Sequence, residues 1–399
     1  MKSTWTILAI TLAIQAMISA AALAGPVLAP EIAEAIGLRA VLVGVQVGLI
    51  YAAAAISSLA SGDIIRRQGA MRTSQIALTL AALGLLLSLV GTIPMIAMGA
   101  LLIGLGYGVV TPASSHLLAQ STPRNRMGIV FSLKQTGVPL GGILAGLVLP
   151  PVTGALGWRV AIGLCVLACL AVAICAQGFQ AILDQDRQSQ TRGNGMLRTF
   201  RGLLDNKVLR ELALISFIFA AMQLILSGFL VTFLTEARGF SLATAGAVLA
   251  LAQAAGVGGR LLWGWCADHV LSARQVLTLL AFVSAICAGI FCYGSDTGTL
   301  VLLGGASAVF GAAAIGWNGV FLAEVARVVP RETVATATGA VLFMTYAGVV
   351  VGPPLFAVLV AHIGFGSAFG VAGAIMAILA LFLAFGSRPG TIAGSRSST

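Results

Sequence analysis

Two cationic side chains, Lys134 and Arg260, lie inside long apolar stretches, and no acidic residue lies within four positions of either one. A charged side chain at the centre of a bilayer costs roughly 2.5–3.5 kcal/mol on insertion scales, so such residues usually have a function. An ammonium group can bind a carboxylate, and a guanidinium can do so through two parallel hydrogen bonds. The two residues therefore indicate an anion-binding site. Two alternatives stay open: Lys134 could extend to the membrane surface, and Arg260 could belong to a charge cluster with Asp268.

Other polar side chains within the apolar stretches could line the same site. Each of them must form its hydrogen bonds inside the protein, because the bilayer core offers none. Hydrogen bonding between helices is the alternative role for each. The polar residues that we select as substrate-binding candidates beside the two cations are Gln135, Tyr346, Gln223 and Asn318.

The composition shows what must position these residues. The chain is 59% hydrophobic and 9% charged, with a mean hydropathy of +1.04, whereas soluble domains carry about 25% charged residues. Twelve apolar stretches of about 20 residues recur along the chain, each long enough to cross a hydrocarbon core of ~30 Å. They are apolar on all sides, which indicates helices and not barrel strands. The sequence therefore predicts an all-α membrane protein with twelve transmembrane helices.

The charge distribution predicts the topology. The formal charge is +10, and 20 of the 22 Lys and Arg residues lie outside the apolar stretches. If the loops alternate, 17 fall on one side of the membrane and three on the other. By the positive-inside rule, both termini are cytoplasmic in a multi-pass protein of the inner (plasma) membrane. The basic excess therefore indicates membrane orientation, and we expect no nucleic-acid partner.

A long polar segment divides the chain into two halves. It runs from about residue 180 to residue 210, between the sixth and seventh apolar stretches. The predicted organisation is a six-helix half over residues 1–179, a cytoplasmic linker over 180–210, a second six-helix half over 211–386 and a cytoplasmic tail over 387–399. The halves are weakly similar to each other, as expected for a duplicated transporter with pseudo-symmetric halves. Lys134 and Arg260 each occur in one half only, which is compatible with a ligand site between the halves.

The loops after the second and eighth stretches resemble the loop signature of the major facilitator superfamily (MFS), Gly-x-x-x-Asp-Arg-x-Gly-Arg-Arg. In the first loop, Arg66 stands where the family has its Asp, and Asp63 is displaced; the second loop matches better. The resemblance covers nearly the whole chain and implies the MFS fold. It also implies that these loops latch the cytoplasmic ends of the halves together. The residues assigned to this latch are Asp63, Arg66, Arg67, Gly69, Arg72, Gly264, Asp268 and Arg274.

A shorter resemblance concerns Arg260. The run from Gly259 to Gly264 is similar to the helix-eight Arg-x-x-x-Gly pattern of oxalate and monocarboxylate porters, which implies that Arg260 contacts a substrate carboxylate. Monocarboxylate porters have an acidic residue four positions earlier, where this chain has Gly256. In the fifth stretch, the run from Gly137 to Gly142 partly resembles the antiporter motif of the superfamily. The Gly-x-Gly-x-Gly run at residues 104–108 lies within a span and predicts helix packing, not a nucleotide loop.

No motif for catalysis or for ATP binding occurs in the sequence, and the six cysteines lack metal-ligand spacing. We therefore expect a monomeric secondary transporter without a cofactor or metal, not an enzyme. The predicted substrate is a small organic anion, most simply a carboxylate, moved by alternating access. Protons or a counter-anion are the alternatives for coupling. A proton-driven exporter of lipophilic compounds and a non-transporting receptor are the alternative functions.

Overall fold

The computed structural model describes residues 4–28, 31–32, 42–187, 195–297 and 299–385. The predicted tail and residues 188–194 of the predicted linker lie outside the described residues. Within these ranges the chain is almost entirely helical and contains no strand. The α-helices are α1 Thr4–Val27, α2 Leu42–Gln68, α3 Ala70–Ser88, α4 Ile93–Ser121, α5 Met127–Gln135, α6 Gly137–Leu156, α7 Trp158–Leu183, α8 Met196–Asp205, α9 Lys207–Thr232, α10 Leu242–His269, α11 Ala273–Thr297, α12 Leu300–Ala314, α13 Asn318–Val328 and α14 Val334–Phe385.

The helices agree with the predicted membrane spans. In the described residues, eleven helical segments are long and apolar enough to cross a membrane. Two of them are pairs of helices in series, α5 with α6 and α12 with α13. The longest helix, α14, has 52 residues and is kinked at Gly364, whose φ is +76°. Gly364 divides it into two helices, and its 52 residues at 1.5 Å per residue amount to about 78 Å of helix in total, enough for the eleventh and twelfth spans. The twelve-helix fold class is confirmed.

The described helices pack into two compact units. The first comprises residues within Met1–Thr122, Lys134–Asp205 and Arg331–Tyr346; the second comprises residues within Pro123–Leu133, Asn206–Pro330 and Ala347–Thr399. Most of α5 therefore packs with the second unit, and the first turns of α14 pack with the first unit. The domain boundaries that the sequence suggests stay a prediction.

Small residues bring the helices of the first unit into close contact. Gly104 and Gly108 of α4 abut backbone oxygens of α2, while Gly106 abuts Ala77 of α3. A side chain at any of these three glycines would collide with the neighbouring backbone. The Gly-x-Gly-x-Gly run thus joins α4 to two helices at once, as expected for packing within a membrane. In the same way, Gly137 and Gly141 of α6 abut α1.

The second unit uses the same kind of contact. Gly259 of α10 abuts the backbone of Ala312 in α12, and Gly311 of α12 abuts the backbone of Ala252 in α10. This reciprocal approach holds α10 against the end of α12. The α12 helix ends at Ala314, and α13 begins only at Asn318. The span therefore contains a break of three residues, and α10 lies beside it.

Candidate functional site

Lys134 lies next to a break in its own span. It occupies the last turn of α5, and Thr136 separates that helix from α6. The Lys134 side chain is only 1% exposed. It is therefore enclosed by protein and does not extend to the membrane surface.

Three neutral oxygens accept hydrogen bonds from the Lys134 ammonium. Nζ lies 2.8 Å from Oε1 of Gln15 in α1, 3.3 Å from Oγ1 of Thr111 in α4 and 2.9 Å from Oε1 of Gln135. The Thr111 hydroxyl also donates to Oε1 of Gln15, at 3.1 Å. These acceptors solvate the ammonium group. The ammonium thus links α1, α4 and α5 inside the first unit.

Arg260 lies beside the break in the tenth span. It is 2% exposed, and its Nε donates to the backbone oxygen of Ile315 at 3.2 Å. Ile315 is the first residue after α12, so this carbonyl lies where the regular helix ends. Trp263, one turn further along α10, donates from Nε1 to the oxygen of Ala312 at 2.8 Å. Two side chains of α10 therefore bind main-chain oxygens at or near the break.

Gln223 of α9 binds the other side of this break. Its Oε1 accepts hydrogen bonds from Nδ2 of Asn318 at 3.0 Å and from Nε1 of Trp317 at 3.1 Å. The Trp317 ring also stacks on Phe219, with centroids 5.3 Å apart. The structure thus brings the predicted site residues Gln223 and Asn318 together in the second unit. Sequence reasoning missed Trp317, which joins them.

Tyr346 belongs to a cluster of three tyrosines in the first unit. Its ring lies 5.9 Å from the ring of Tyr51 and 6.1 Å from that of Tyr107, and the latter two rings are 5.8 Å apart. Tyr107 precedes Thr111 by one turn of α4, so the cluster is next to the surroundings of Lys134 along that helix. Sequence reasoning missed Tyr51 and Tyr107. The rarity of tyrosine could have drawn attention to these two residues, because the chain has only four tyrosines.

Asp268, at the C-terminal end of α10, caps another helix. Its two carboxylate oxygens accept hydrogen bonds from the backbone N–H groups of Gly128 and Ile129, each at 2.8 Å. These are N–H groups of the first turn of α5, where a negative charge is favoured. Arg327 of α13 pairs with the same carboxylate, whose side chain is completely buried. Gly264 permits the approach, because it abuts the backbone of Gly128.

The comparisons with known proteins agree with this architecture. The sequence model of the Major Facilitator Superfamily matches residues 8–349. The chain belongs to this superfamily. Members of the superfamily are multi-pass membrane transporters and not enzymes, so the fold and the broad class are established together.

Solved MFS structures share the fold at low sequence identity. The E. coli fucose:proton symporter FucP is 17% identical, with a TM-score of 0.76 over 97% of this chain and 100% of that chain. The human organic anion transporter MFSD10 is 14% identical, with a TM-score of 0.77 over 96% of this chain and 100% of that chain. An uncharacterised MFS-type transporter of Mycobacterium tuberculosis is 26% identical over 187 residues, or 46% of this chain. This match spans 40% of that relative's length, less than half.

The first MFS loop is arranged differently from the second. Asp63 pairs with Arg66 at 2.7 Å and accepts a hydrogen bond from the backbone N–H of Gly195 at 2.6 Å. The side chains of Arg67 and Arg72 are exposed. Gly69 has φ +91°, a conformation that favours glycine.

A carboxylate from a distant part of the chain lies against this glycine. Asp184, directly after α7, accepts hydrogen bonds from the backbone N–H groups of Met71 and Arg72 at 2.8 and 2.9 Å. It therefore caps the N-terminus of α3, where Gly69 has no side chain to do so. Sequence reasoning missed Asp184.

Arg274, the last residue assigned to the latch, makes contacts within the second unit. It pairs with Glu211 of α9 at 2.6 Å and donates from Nε to the oxygen of Leu383 at 2.8 Å. It thus ties α11 to α9 and to the end of α14. The latch function of all eight residues stays a prediction. The same holds for a cavity shared by Lys134 and Arg260, which lie in different units.

Proposed function

We propose that this protein is a secondary transporter that moves a small organic anion, with a carboxylate as its charged group, by alternating access. The observation that carries the proposal is that both intramembrane cations are buried, each beside a short turn within a membrane span. Lys134 lies in the last turn before Thr136, and Arg260 binds the carbonyl of Ile315. In transporters, interrupted helices place backbone dipoles and charged groups at the substrate site.

The electrostatics favour an anionic substrate. Three of the hydrogen-bond partners of the Lys134 ammonium are neutral oxygens, an arrangement that suits a cation at this position. A carboxylate at about 4 Å from either cation gains about 4 kcal/mol at an effective dielectric constant of about 20. Membrane insertion of each cation costs roughly 2.5–3.5 kcal/mol, so a bound anion offsets this cost.

The comparisons support the substrate class only in part. One neighbour in fold, human MFSD10, is described as an organic anion transporter, while FucP is a fucose:proton symporter. Both likenesses are below 20% identity and concern the fold. The oxalate-type pattern around Arg260 adds to the anion proposal through its arginine. The site residues beside the cations in this proposal are Gln135, Gln223, Asn318 and Tyr346.

Monocarboxylate porters have an acidic residue at the position of Gly256, but the packing in this chain leaves no room for one. A Cβ at Gly256 would lie 2.7 Å from Cβ of Ile315, so a side chain does not fit there. Exchange for a second anion and proton symport through other groups are both compatible with the site. The proposal includes a monomer in the inner membrane. It also includes cytoplasmic termini, because alternating loops would place 17 of the 20 Lys and Arg residues outside the apolar stretches on that side.

Uptake by proteoliposomes tests the proposal. Radiolabelled mono- and dicarboxylates are offered to the purified protein, and the expected result is saturable uptake that Lys134→Ala and Arg260→Ala each reduce at least about tenfold, roughly 1.4 kcal/mol. Arg159→Ala is the matched control, because Arg159 is an exposed cation in the first turn of α7 that stacks on Trp158. Uptake by both site variants at the wild-type rate would refute the anion site. Efflux of lipophilic compounds without carboxylate uptake would favour the exporter.

A further inference from the structure

Three of the four tyrosines of the chain meet at one place in the first unit. Tyr51 lies in α2, Tyr107 in α4 and Tyr346 in α14, and all three lie within membrane spans. The chain has 18 phenylalanines, a residue that fills an apolar core without a hydroxyl to hydrogen-bond. Tyrosine is instead typical of surfaces that contact both water and apolar groups. The cluster therefore has the composition of a binding-site lining more than that of a membrane core.

The three rings pack edge-to-face or tilted against one another. The Tyr107 ring is turned by 74° against Tyr51 and by 63° against Tyr346, and the rings of Tyr51 and Tyr346 are tilted by 44°. Tyr107 and Tyr346 are 7% and 5% exposed, whereas Tyr51 is partly exposed. A further aromatic ring can extend the cluster in the same manner, because the edges and faces of aromatic rings carry opposite partial charge. Tyr51 offers the surface for it.

The cluster lies one helical turn from a partner of Lys134. Nζ of Lys134 lies 3.3 Å from Oγ1 of Thr111, and Tyr107 precedes Thr111 by four residues on the same face of α4. Four residues correspond to about 6 Å along the helix axis. This spacing is comparable to the length of a benzoate ion, so a carboxylate bound at Lys134 can carry a ring that reaches the tyrosines. Phenol groups are neutral near pH 7, which suits the uncharged end of such a substrate.

The second unit also combines its buried cation with aromatic rings. Arg260 donates to the backbone oxygen of Ile315, and Trp317 follows two residues later. The Trp317 ring stacks on Phe219, with centroids 5.3 Å apart. Each of the two cations thus binds a segment that carries a clustered aromatic ring. For Lys134 this segment is α4 with Tyr107, and for Arg260 it is the turn with Trp317.

We propose that Tyr51, Tyr107 and Tyr346 form a subsite for an aromatic ring, so that the preferred substrate is an aromatic monocarboxylate. This inference rests on the proposed function, because it takes Lys134 as the group that binds the carboxylate. The ring of the substrate packs on the exposed side of Tyr51. Selectivity between carboxylates then depends on the aromatic character of the substrate and not only on its size, since a saturated ring of similar size forms no aromatic pair.

Two acids of similar size separate aromatic character from bulk. Benzoate has an aromatic ring, whereas cyclohexanecarboxylate has a saturated one. Both are offered in radiolabelled form to proteoliposomes that contain the full-length protein, uptake by protein-free liposomes is subtracted, and kcat/KM is measured for each acid. We expect the wild type to favour benzoate about fivefold, roughly 1 kcal/mol, which is the contribution of one aromatic pair. Lys134→Ala reduces the uptake of both acids.

Variants of Tyr51 locate the selectivity. Tyr51→Leu removes the ring and lowers the preference for benzoate to about one, whereas Tyr51→Phe keeps both the ring and the preference. Should Tyr51→Leu not fold, the same ratio is measured for Tyr346→Leu. Tyr293→Leu is the matched control and leaves the ratio unchanged, because Tyr293 is the tyrosine outside the cluster and is 86% exposed.

The outcomes distinguish this inference from the proposed function. A ratio near one in the wild type, or a preference for benzoate that the leucine variant of the cluster leaves unchanged, would overturn the aromatic subsite. Uptake of both acids that depends on Lys134 would then leave the proposed function standing. No uptake of any carboxylate would refute the proposed function and the aromatic subsite together.

Discussion

The two MFS loops of this chain place their acidic residues differently. In the first loop, Asp63 is 18% exposed and pairs with Arg66 on its own helix. In the second loop, Asp268 is completely buried, caps α5 and pairs with Arg327 of α13. A surface pair three residues apart contributes little to stability, whereas a buried carboxylate with backbone and guanidinium partners is costly to remove.

The first unit nevertheless contains a buried cap. It comes from Asp184, which lies more than a hundred residues after the helix that it caps. The two units thus use the same physical device from different positions in the sequence. Both units place a carboxylate at a helix N-terminus. In the first unit that carboxylate belongs to Asp184 and not to Asp63 of the loop signature.

The largest expected effect is that of removing the Asp268 carboxylate. Asp268→Ala leaves Arg327 with only its 4.0 Å contact to Glu324 and two N–H groups of α5 without their cap. We expect it to lower the free energy of unfolding by about 3 kcal/mol. Thermal unfolding of the purified protein in detergent measures this. Asp205→Ala, at the exposed end of α8, serves as the control and changes stability by less than about 0.5 kcal/mol. A loss below about 1 kcal/mol for Asp268→Ala would contradict the comparison.

An intermediate effect is expected at Asp184. Asp184→Ala removes the cap of α3 and should lower the unfolding free energy by about 1–2 kcal/mol in the same assay. Asn206→Ala is the matched variant, because Asn206 caps α9 from the adjacent position in the chain through Val208 and Leu209. If Asp184→Ala were neutral while Asn206→Ala was not, the distant cap would have no energetic role.

The contributions of Asp184 and Asp186 to stability should change with pH in opposite directions. Burial raises the pKa of Asp184, although the backbone hydrogen bonds of Met71 and Arg72 act against this. The hydrogen bond of His116, with a further one from Gln120, lowers the pKa of Asp186. The ordinary pKa of an aspartate is about 3.9.

The signs follow from proton linkage. The stabilising contribution of Asp186 is complete above its unfolded pKa and is lost as the pH falls through its lower folded pKa. That of Asp184 decreases as the pH rises from the unfolded pKa through the higher folded pKa. From about pH 3 to pH 6, the advantage of the wild type over Asp186→Asn should therefore grow, and its advantage over Asp184→Asn should shrink. Parallel melting curves at several pH values measure both, and slopes of the same sign would contradict the assignment.

The smallest effect is expected at Asp63. Asp63→Ala removes a partly exposed pair and should change the unfolding free energy by less than about 1 kcal/mol. A loss as large as that of Asp268→Ala would mean that the two loops are energetically equivalent. The contrast between them would then be wrong.

The sequence was sufficient for the spans and for the two buried cations, because both follow from local hydropathy. It was not sufficient for their partners. Gln15, Thr111 and Lys134 are far apart in the chain and meet only when α1, α4 and α5 pack together. The breaks at Thr136 and after Ala314 also escaped prediction, since nothing in the apolar pattern changes at either point. Glycines such as Gly62 and Gly264 were noticed as motif residues, but the backbone contacts that require them depend on tertiary packing.

The contact between Gly256 and Ile315 limits how this chain could acquire an acidic group on α10. The Cβ of Ile315 itself is in the way, so an alanine at position 315 would still obstruct a side chain at 256. Only a glycine at 315 would clear the space, and it would stand directly before Gly316 in an already irregular turn. A carboxylate at 256 would thus need two simultaneous substitutions, the second of which loosens the turn that binds Arg260.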